Sequence, residues 1–217
     1  MSRVRHTNSE WAKGGRQKPM DSGFDQWERV TPSTVSKLFD RFSPSWWIAG
    51  GWAIELHLGR CVRDHGDMDI LLQRRDQVGI QAYLAGWDLY VADPPGSLRF
   101  WLPGEYLHRP IQDIWCRPKP ESRWHIQIML IDVEDGDWVF KRDPRIRRQL
   151  SEIGLESSGG IPYLRPEIQL LYKAKSPRPK DEVDFTAMLP MLTNEERSWL
   201  KSALSLAHGE HRWVAKL

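Results

Sequence analysis

A short apolar segment that runs into two glycines, followed by a segment that opens with two aspartates, constrains this chain more than any other feature. The first segment covers residues 46–49 and precedes Gly50 and Gly51, and the second begins with Asp67 and Asp69. Because successive side chains of a β-strand point to opposite faces, Asp67 and Asp69 share one face of the second strand. Two carboxylates on one face repel each other unless a cation lies between them. Hard oxygen ligands of this kind suit Mg²⁺.

The two glycines mark a point where another group can approach the backbone closely, because glycine has no Cβ. The residues that follow, 51–58, have the composition of a short helix. The free N–H groups and the dipole at the start of a helix attract anions. Gly50 and Gly51 are therefore candidate residues for binding the phosphates of a nucleotide.

The joint pattern resembles the nucleotidyltransferase superfamily with the polymerase-β-like fold. Within it, the sequence is most similar to the aminoglycoside-2''-adenylyltransferase-like and lincosamide nucleotidyltransferase group. The resemblance rests on residues 46–72 and continues more weakly to about residue 190. It implies transfer of a nucleoside monophosphate, AMP from ATP, to a hydroxyl of a small acceptor such as an aminoglycoside-like compound. The implied cofactor is Mg²⁺, with Mn²⁺ as an alternative, and the implied co-substrate is a nucleoside triphosphate.

The same resemblance implies roles for individual residues. Asp67 and Asp69 would bind the metal and serve as catalytic carboxylates. Arg63 and His65, in the loop before them, would either contact the phosphates or hold the loop in place by pairing. A late lysine near the nucleotide would contact the triphosphate, and the candidates are Lys173 and Lys180.

The third carboxylate expected of this family is not obvious. The strand that should carry it has Gln127 at the aligned position, and glutamine neither acts as a base nor neutralises a metal. A hairpin turning around residues 119–121 would place Asp113 opposite Gln127 on the same face, because cross-strand partners lie close together. Asp113 is therefore the predicted third catalytic and metal-binding carboxylate, with Asp132 and Glu134 as weaker candidates.

Two alternatives to a small-molecule adenylyltransferase stay open. A toxin-type nucleotidyltransferase that modifies tRNA or a protein would use the basic residues near the N-terminus and the segment 145–148. A catalytically impaired nucleotide-binding protein would explain Gln127.

If the acceptor is instead a small molecule like an aminoglycoside, acidic side chains near the cleft, such as Glu55 and Glu134, would hold its positive charge.

Length and composition set the remaining expectations. The 217 residues suit an α+β fold: a polymerase-β-like nucleotidyltransferase mixed sheet with flanking helices, followed by a small C-terminal helical region. The expected division is a mobile basic arm at 1–20, a nucleotidyltransferase core at 21–142 and a C-terminal helical region packed on the core at 143–217. A net charge of only +2 gives no whole-protein field that would favour nucleic acid. Two cysteines, Cys61 and Cys116, do not make a disulfide framework and favour reduced thiols in a cytoplasmic protein. No apolar run approaches the length of a membrane span.

Overall fold

A mixed sheet of ten strands forms the centre of the protein, with helices packed against it. The computed structural model describes residues 26–217, so the arm expected at residues 1–20 lies outside the described residues. The strands are β1 Trp46–Ile48, β2 Asp69–Gln73, β3 Asp88–Ala92, β4 Leu98–Phe100, β5 Asp113–Arg117, β6 Ile126–Glu134, β7 Asp137–Val139, β8 Arg147–Gln149, β9 Gly154–Glu156 and β10 Pro162–Leu164. The α-helices are α1 Pro32–Leu38, α2 Gly50–Leu58, α3 Gln77–Tyr83, α4 Pro166–Lys173, α5 Pro179–Met188 and α6 Asn194–His208.

The strand order places β2 near the middle of the sheet. Neighbouring strands follow the order β4-β3-β5-β6-β2-β1-β10-β9, with β7 paired to β6 and β8 paired to β7. The pairing of β2 with β6 is parallel, and its pairing with β1 is antiparallel. The expected mixed sheet with flanking helices is confirmed.

A row of four isoleucines crosses the sheet and fixes its register. Ile48 pairs with Ile70, Ile70 with Ile128, and Ile128 with Ile114. All four side chains are buried, and burying a side chain of this size stabilises a fold by about 1.5–3 kcal/mol. Because side chains alternate along a strand, the residues next to these isoleucines, Asp69 among them, point to the opposite face of the sheet.

Helix starts follow the sequence signals closely. Oγ1 of Thr31 accepts a hydrogen bond from the backbone N–H of Thr34, and Pro32 occupies the first turn of α1. A capping box begins α6: the backbone N–H of Glu196 donates to Oγ1 of Thr193, and a carboxylate oxygen of Glu196 accepts from the N–H of Thr193.

The region 143–217 differs from its expected helical character. Its first part contributes β8, β9 and β10 to the sheet, and β10 pairs in parallel with β1 through Tyr163 and Ile48. Within this region, the α-helices begin at Pro166. The three strands have three residues each, too short to show a strand periodicity in the sequence. Each is held by backbone pairing to another strand of the sheet. The division at residue 142 stays a prediction.

None of the helices in residues 26–217 combines the length and the apolar content that crossing a bilayer requires. The cytoplasmic location stays a prediction.

Candidate functional site

Gly50 lies where β1 ends and α2 begins, directly against the carboxylate of Asp69. Its φ is +66°, a backbone conformation that favours glycine. A Cβ at Gly50 would lie 2.3 Å from Oδ2 of Asp69, and a Cβ at Gly51 would lie 2.2 Å from Cε1 of His65. The protein's own side chains therefore occupy the space beside both glycines, and any larger residue would displace them.

The first N–H of α2 is already bound within the protein. The backbone N–H of Gly50 donates to Oε1 of Gln169, on α4, at 2.8 Å. Gln169 is buried and also lines the cavity described below. The predicted contact of Gly50 and Gly51 with phosphates stays a prediction, and this particular N–H is not available for it in the described conformation.

Asp69 is the most strongly perturbed acid of the site. The pKa of Asp69 is raised to about 7, mainly by burial and also by the neighbouring charges of Asp67 and Asp113, while Lys173 and Lys180 oppose this rise. No other described side chain forms a hydrogen bond or an ion pair with the carboxylate of Asp69 or of Asp67. A buried carboxylate beside others, without a cation of its own, is unfavourable until a cation binds.

The donor set suits a hard divalent metal ion on its chemistry. Asp67 and Asp69 would hold Mg²⁺ or Mn²⁺ through carboxylate oxygens, which both ions prefer. Across residues 26–217, no three His, Cys, Asp or Glu side chains gather closely enough to hold a metal by themselves. Further ligands would therefore have to come from water or from the phosphates of a nucleotide, as is usual for Mg²⁺.

Asp113 lies on β5, and the register of the hairpin that carries it differs from the predicted one. Asp113 is opposite Met129, and Trp115 is opposite Gln127. The predicted pairing of Asp113 with Gln127 was wrong by two residues, because the turn is centred one residue later than expected. A shift of two residues keeps a side chain on the same face. Nε2 of Gln127 donates to Oδ1 of Asp113 at 3.1 Å.

Gln127 stands beside Asp69 on the neighbouring parallel strand. It therefore occupies the position from which a third carboxylate on β6 would act. Its neutral amide instead holds Asp113, one strand further out, and the charge of Asp113 is felt at Asp69. The role of Asp113 as third carboxylate stays a prediction.

The weaker candidates for that role are neutralised by arginines. Oδ1 of Asp132 lies 2.6 Å from Nε of Arg74, and its Oδ2 lies 2.9 Å from Nε of Arg109. Glu134 pairs with Arg109 at 3.0 Å and with Arg147 at 2.8 Å. Carboxylates held in this way have little capacity left for a metal or a proton.

Glu55 holds the loop that leads to the paired aspartates. Its Oε1 accepts the backbone N–H groups of Val62 at 2.6 Å and Arg63 at 3.0 Å. The same oxygen lies 3.0 Å from Nε2 of His65, whose pKa is lowered by burial. The structure thus places His65 where it supports the loop. With Glu134 paired as described, neither acid that was expected to hold a cationic acceptor is free to do so.

Arg63 and Lys173 join a buried network of charges at the start of α5. The guanidinium of Arg63 donates two hydrogen bonds of 2.9 Å to Asp184. Nζ of Lys173 lies 2.9 Å from both Asp181 and Asp184, and Arg178 also donates to Asp181. Burial raises the pKa of Asp184, but its two cationic partners outweigh burial and hold the pKa below its usual range. The network fixes the loop before Asp67 to the C-terminal helices.

Lys180 is the predicted phosphate contact whose charge is not already engaged. It is the second residue of α5 and makes no ion pair with any residue that the structure describes. Its charge nevertheless acts on Asp69. Its role in nucleotide binding stays a prediction, as do those of Arg63, His65 and Lys173.

A cavity of about 300 Å³ opens beside Asp69 between the sheet and the start of the C-terminal helices. Sequence reasoning missed several polar residues in its wall, which come from four separate segments: Gln112, Lys141, Arg142, Gln169, Tyr172, Ser176 and Arg178. A short motif does not reveal them, because each is brought to Asp69 by strand order or helix packing. The only signal in the sequence for any of them is the basic pair Lys141 and Arg142, which follows β7.

Comparisons with known proteins agree with this geometry. The sequence model of the family described as aminoglycoside-2''-adenylyltransferase matches residues 33–91, which include the glycine pair and both aspartates. The lincosamide antibiotic adenylyltransferase LnuA, bound to lincomycin, superposes with a TM-score of 0.53 at 18% identity, covering 77% of this chain and 99% of LnuA. ANT(2'')-Ia in complex with adenylyl-2''-tobramycin gives 0.51 at 14% identity, covering 80% and 97%. No curated protein matches the sequence significantly.

The two structures share a fold with this chain at low identity, and the family match covers the segment that carries the paired aspartates. The resemblance expected from residues 46–72 is confirmed. The chain has the nucleotidyltransferase fold, in the form found in aminoglycoside and lincosamide adenylyltransferases.

Proposed function

We propose that this protein is a metal-dependent nucleotidyltransferase that moves a nucleoside monophosphate, AMP from ATP, to a hydroxyl of a small molecule. One observation carries the proposal: Asp69 is half-buried beside Asp67, with a raised pKa and no ion-pair partner of its own, at the glycine turn of a nucleotidyltransferase fold. Such an arrangement costs stability in the free protein. A bound divalent cation would remove that cost.

The chain's own residues position the reactants. A divalent metal bound at Asp67 and Asp69 would supply charge neutralisation of the phosphates. Lys180, which has no acidic partner in the described chain and whose charge acts on Asp69, would bind a phosphate oxygen. Arg63 acts indirectly, because its ion pair with Asp184 holds the loop that ends at Asp67. Rigid placement of this kind accounts for most of the catalysis in phosphoryl transfer.

Asp113 is the proposed general base for the acceptor hydroxyl. The hydrogen bond from Gln127 orients its carboxylate on the same face as Asp69. A carboxylate that accepts one hydrogen bond still has an oxygen with which to take a proton from the attacking hydroxyl. Gln127 would then be a positioning residue, and its presence need not mean that the chemistry is lost.

The acceptor is proposed to be a small hydroxylated compound. One solved relative is a lincosamide antibiotic adenylyltransferase bound to lincomycin, and the other is bound to adenylyl-2''-tobramycin, a small molecule that carries the transferred adenylyl group. The structure offers little support for the tRNA or protein alternative. The basic segment that would bind RNA is neutralised, because Arg145 pairs with Asp143 and Arg148 pairs with Glu167.

The test is incubation of the protein with labelled ATP, CTP, GTP and UTP, with and without Mg²⁺, against small-molecule, tRNA and protein acceptors. We expect metal-dependent pyrophosphate release and a labelled small-molecule product. Asp67→Asn and Asp69→Asn should abolish transfer, whereas Asp40→Asn, at an exposed position on the loop after α1, should not. Full turnover in either site variant would reject the assignment of the metal site. Nucleotide binding without pyrophosphate release on every acceptor would favour the impaired alternative.

A further inference from the structure

Three cations line the cavity beside Asp69 without an acidic partner: Lys141, Arg142 and Lys175. Within the part of the chain that the structure describes, none of them forms an ion pair. Nζ of Lys141 donates to Oε1 of Gln112 at 2.7 Å, and Nη1 of Arg142 donates to the carbonyl oxygen of Tyr172 at 2.9 Å. Both contacts are to neutral oxygens, so the three positive charges are not compensated.

The other charged groups of the same cavity are compensated. Lys173 and Arg178 pair with Asp181, and Asp132 is held by two arginines. The remaining unpaired acid is Asp69. The cavity therefore presents an uncompensated negative charge in one place and three uncompensated positive charges in another.

The three cations are close enough to affect one another. Burial lowers the pKa of Lys141, the charges of Arg142 and Lys175 lower it further, and Asp113 opposes them. Like charges gathered at a cavity wall destabilise the protein unless an anion binds among them. A ligand phosphate, with several acceptor oxygens and up to two negative charges, matches three clustered donors better than a single carboxylate does.

The sheet sets the distance between this cluster and Asp69. Gln112, the partner of Lys141, pairs with Leu130: the backbone N–H of Leu130 donates to the carbonyl oxygen of Gln112 at 2.8 Å. Leu130 is three residues along β6 from Gln127, which lies beside Asp69. At about 3.3 Å per residue and about 4.8 Å between strands, the backbone of Gln112 lies about 10 Å along the strands and about 10 Å across them from Asp69, or about 14 Å in all. One small ligand can span that length.

A second cavity, of about 400 Å³, continues from the first and shares Lys141, Arg142 and Lys175 in its wall. The cluster thus lies at the junction of two open spaces. A ligand that reaches from Asp69 to this junction has room to extend beyond it.

We propose that Lys141, Arg142 and Lys175 form an anion subsite that binds a phosphate group of a ligand whose reacting end lies at Asp69. The identity of that ligand as a reactant rests on the proposed function. The phosphate has two sources in a nucleotidyl transfer: the triphosphate tail of the nucleotide, or a phosphorylated acceptor.

The test measures binding, by titration calorimetry at low ionic strength, in the full chain and in the variant that combines Lys141→Ala with Lys175→Ala. The probes are ATP, tripolyphosphate, AMP, and inorganic phosphate added to protein saturated with a non-hydrolysable ATP analogue. The control is Lys201→Ala, which removes one positive charge from an exposed position of α6. Lys141→Arg keeps the charge and should bind as the unchanged protein does.

If the subsite holds the triphosphate tail, the double variant should bind ATP and tripolyphosphate at least tenfold more weakly and AMP with unchanged affinity. If the subsite holds an acceptor phosphate, ATP affinity should be unchanged, and binding of inorganic phosphate to the saturated protein should be lost in the double variant. Wild-type affinity for every probe in the double variant would overturn the proposal. So would the failure of the unchanged protein to bind any of the probes.

Failure of the proposed function gives a different result. A protein that binds these phosphates through the subsite but never releases pyrophosphate, with any nucleotide or acceptor, would keep the subsite and lose the enzymatic assignment. Pyrophosphate release that is unaffected by the double variant, together with unchanged binding, would keep the enzyme and remove the subsite.

Discussion

Replacing Asp69 with asparagine should make the metal-free protein more stable while removing its activity. The pKa of Asp69 is raised from 3.8 to about 7, mainly by burial. The folded state therefore holds the proton more tightly than the unfolded chain does. The resulting penalty is absent below the unfolded pKa of about 4, grows as pH rises from about 4 to about 7, and is complete above that.

The size of the effect follows from that shift. About three pKa units correspond to at most about 4 kcal/mol once Asp69 is ionised. Asp69 keeps some exposure to solvent, and water reduces the penalty, so we expect about 2 kcal/mol. For a chain of this length, that is a rise in Tm of about 4–8 °C.

The assay is thermal unfolding in EDTA, followed by tryptophan fluorescence, at pH 5 and pH 8. Asp69→Asn should unfold at a higher temperature than the unchanged protein at pH 8, and the gap should narrow at pH 5. Added Mg²⁺ should raise the Tm of the unchanged protein and not that of the variant. Asp40→Asn, an exposed carboxamide substitution, should change nothing.

Two results would refute the reasoning. Equal stability of the variant and the unchanged protein at pH 8 would mean that the ionised carboxylate of Asp69 does not destabilise the folded state. An identical gain at pH 5 and pH 8 would mean that the gain comes from packing or hydrogen bonding of asparagine rather than from removal of a charge.

Three further predictions concern other parts of the site. Gly50→Ala should lower stability by about 2–4 kcal/mol and remove activity, because its Cβ would collide with Asp69; Gly79→Ala, in α3 with open space around it, should instead raise the Tm slightly. Asp113→Asn should lower kcat by at least tenfold, about 1.4 kcal/mol. Adding Gln127→Asp to that variant should restore part of the lost kcat, because it places a carboxylate beside Asp69. If neither kcat nor the affinity for Mn²⁺ recovers, the third carboxylate has not moved from β6 to Asp113. The pKa of Asp184 is held low against the opposing effect of burial, so its ion pairs add stability at neutral pH that is lost as pH falls below about 4; acid unfolding of Asp184→Asn should be shallower than that of the unchanged protein, and identical acid transitions would contradict this.

The strand–glycine–helix unit and the aspartate strand could be predicted because their signals are local. Gly50 and Asp69 are 19 positions apart, and both obey short-range rules of turn chemistry and alternation. The helix starts at Pro166 and Thr193 follow equally local signals, since proline and capping residues act within one turn.

The rest of the site depends on pairing between distant segments, and no local rule specifies it. Gln169 reaches Gly50 across 119 positions, and Arg63 reaches Asp184 across 121. The register of Asp113 depended on the centre of one turn, which sequence places only to within a residue or two. The face of Asp113 was predicted correctly only because the error was an even number of residues.

The ion pairs between Arg63 and the start of α5 have a consequence for synthesis of the chain. While the ribosome is still adding residues beyond 160, the loop before Asp67 has no acidic partner for its arginine, and Gly50 lacks the amide from α4. The paired aspartates are therefore synthesised early, but the contacts that fix their loop form only after α4 and α5 have been synthesised. A nascent chain stalled before Pro179 should therefore show the loop as a protease-sensitive segment, and completion of α5 should protect it.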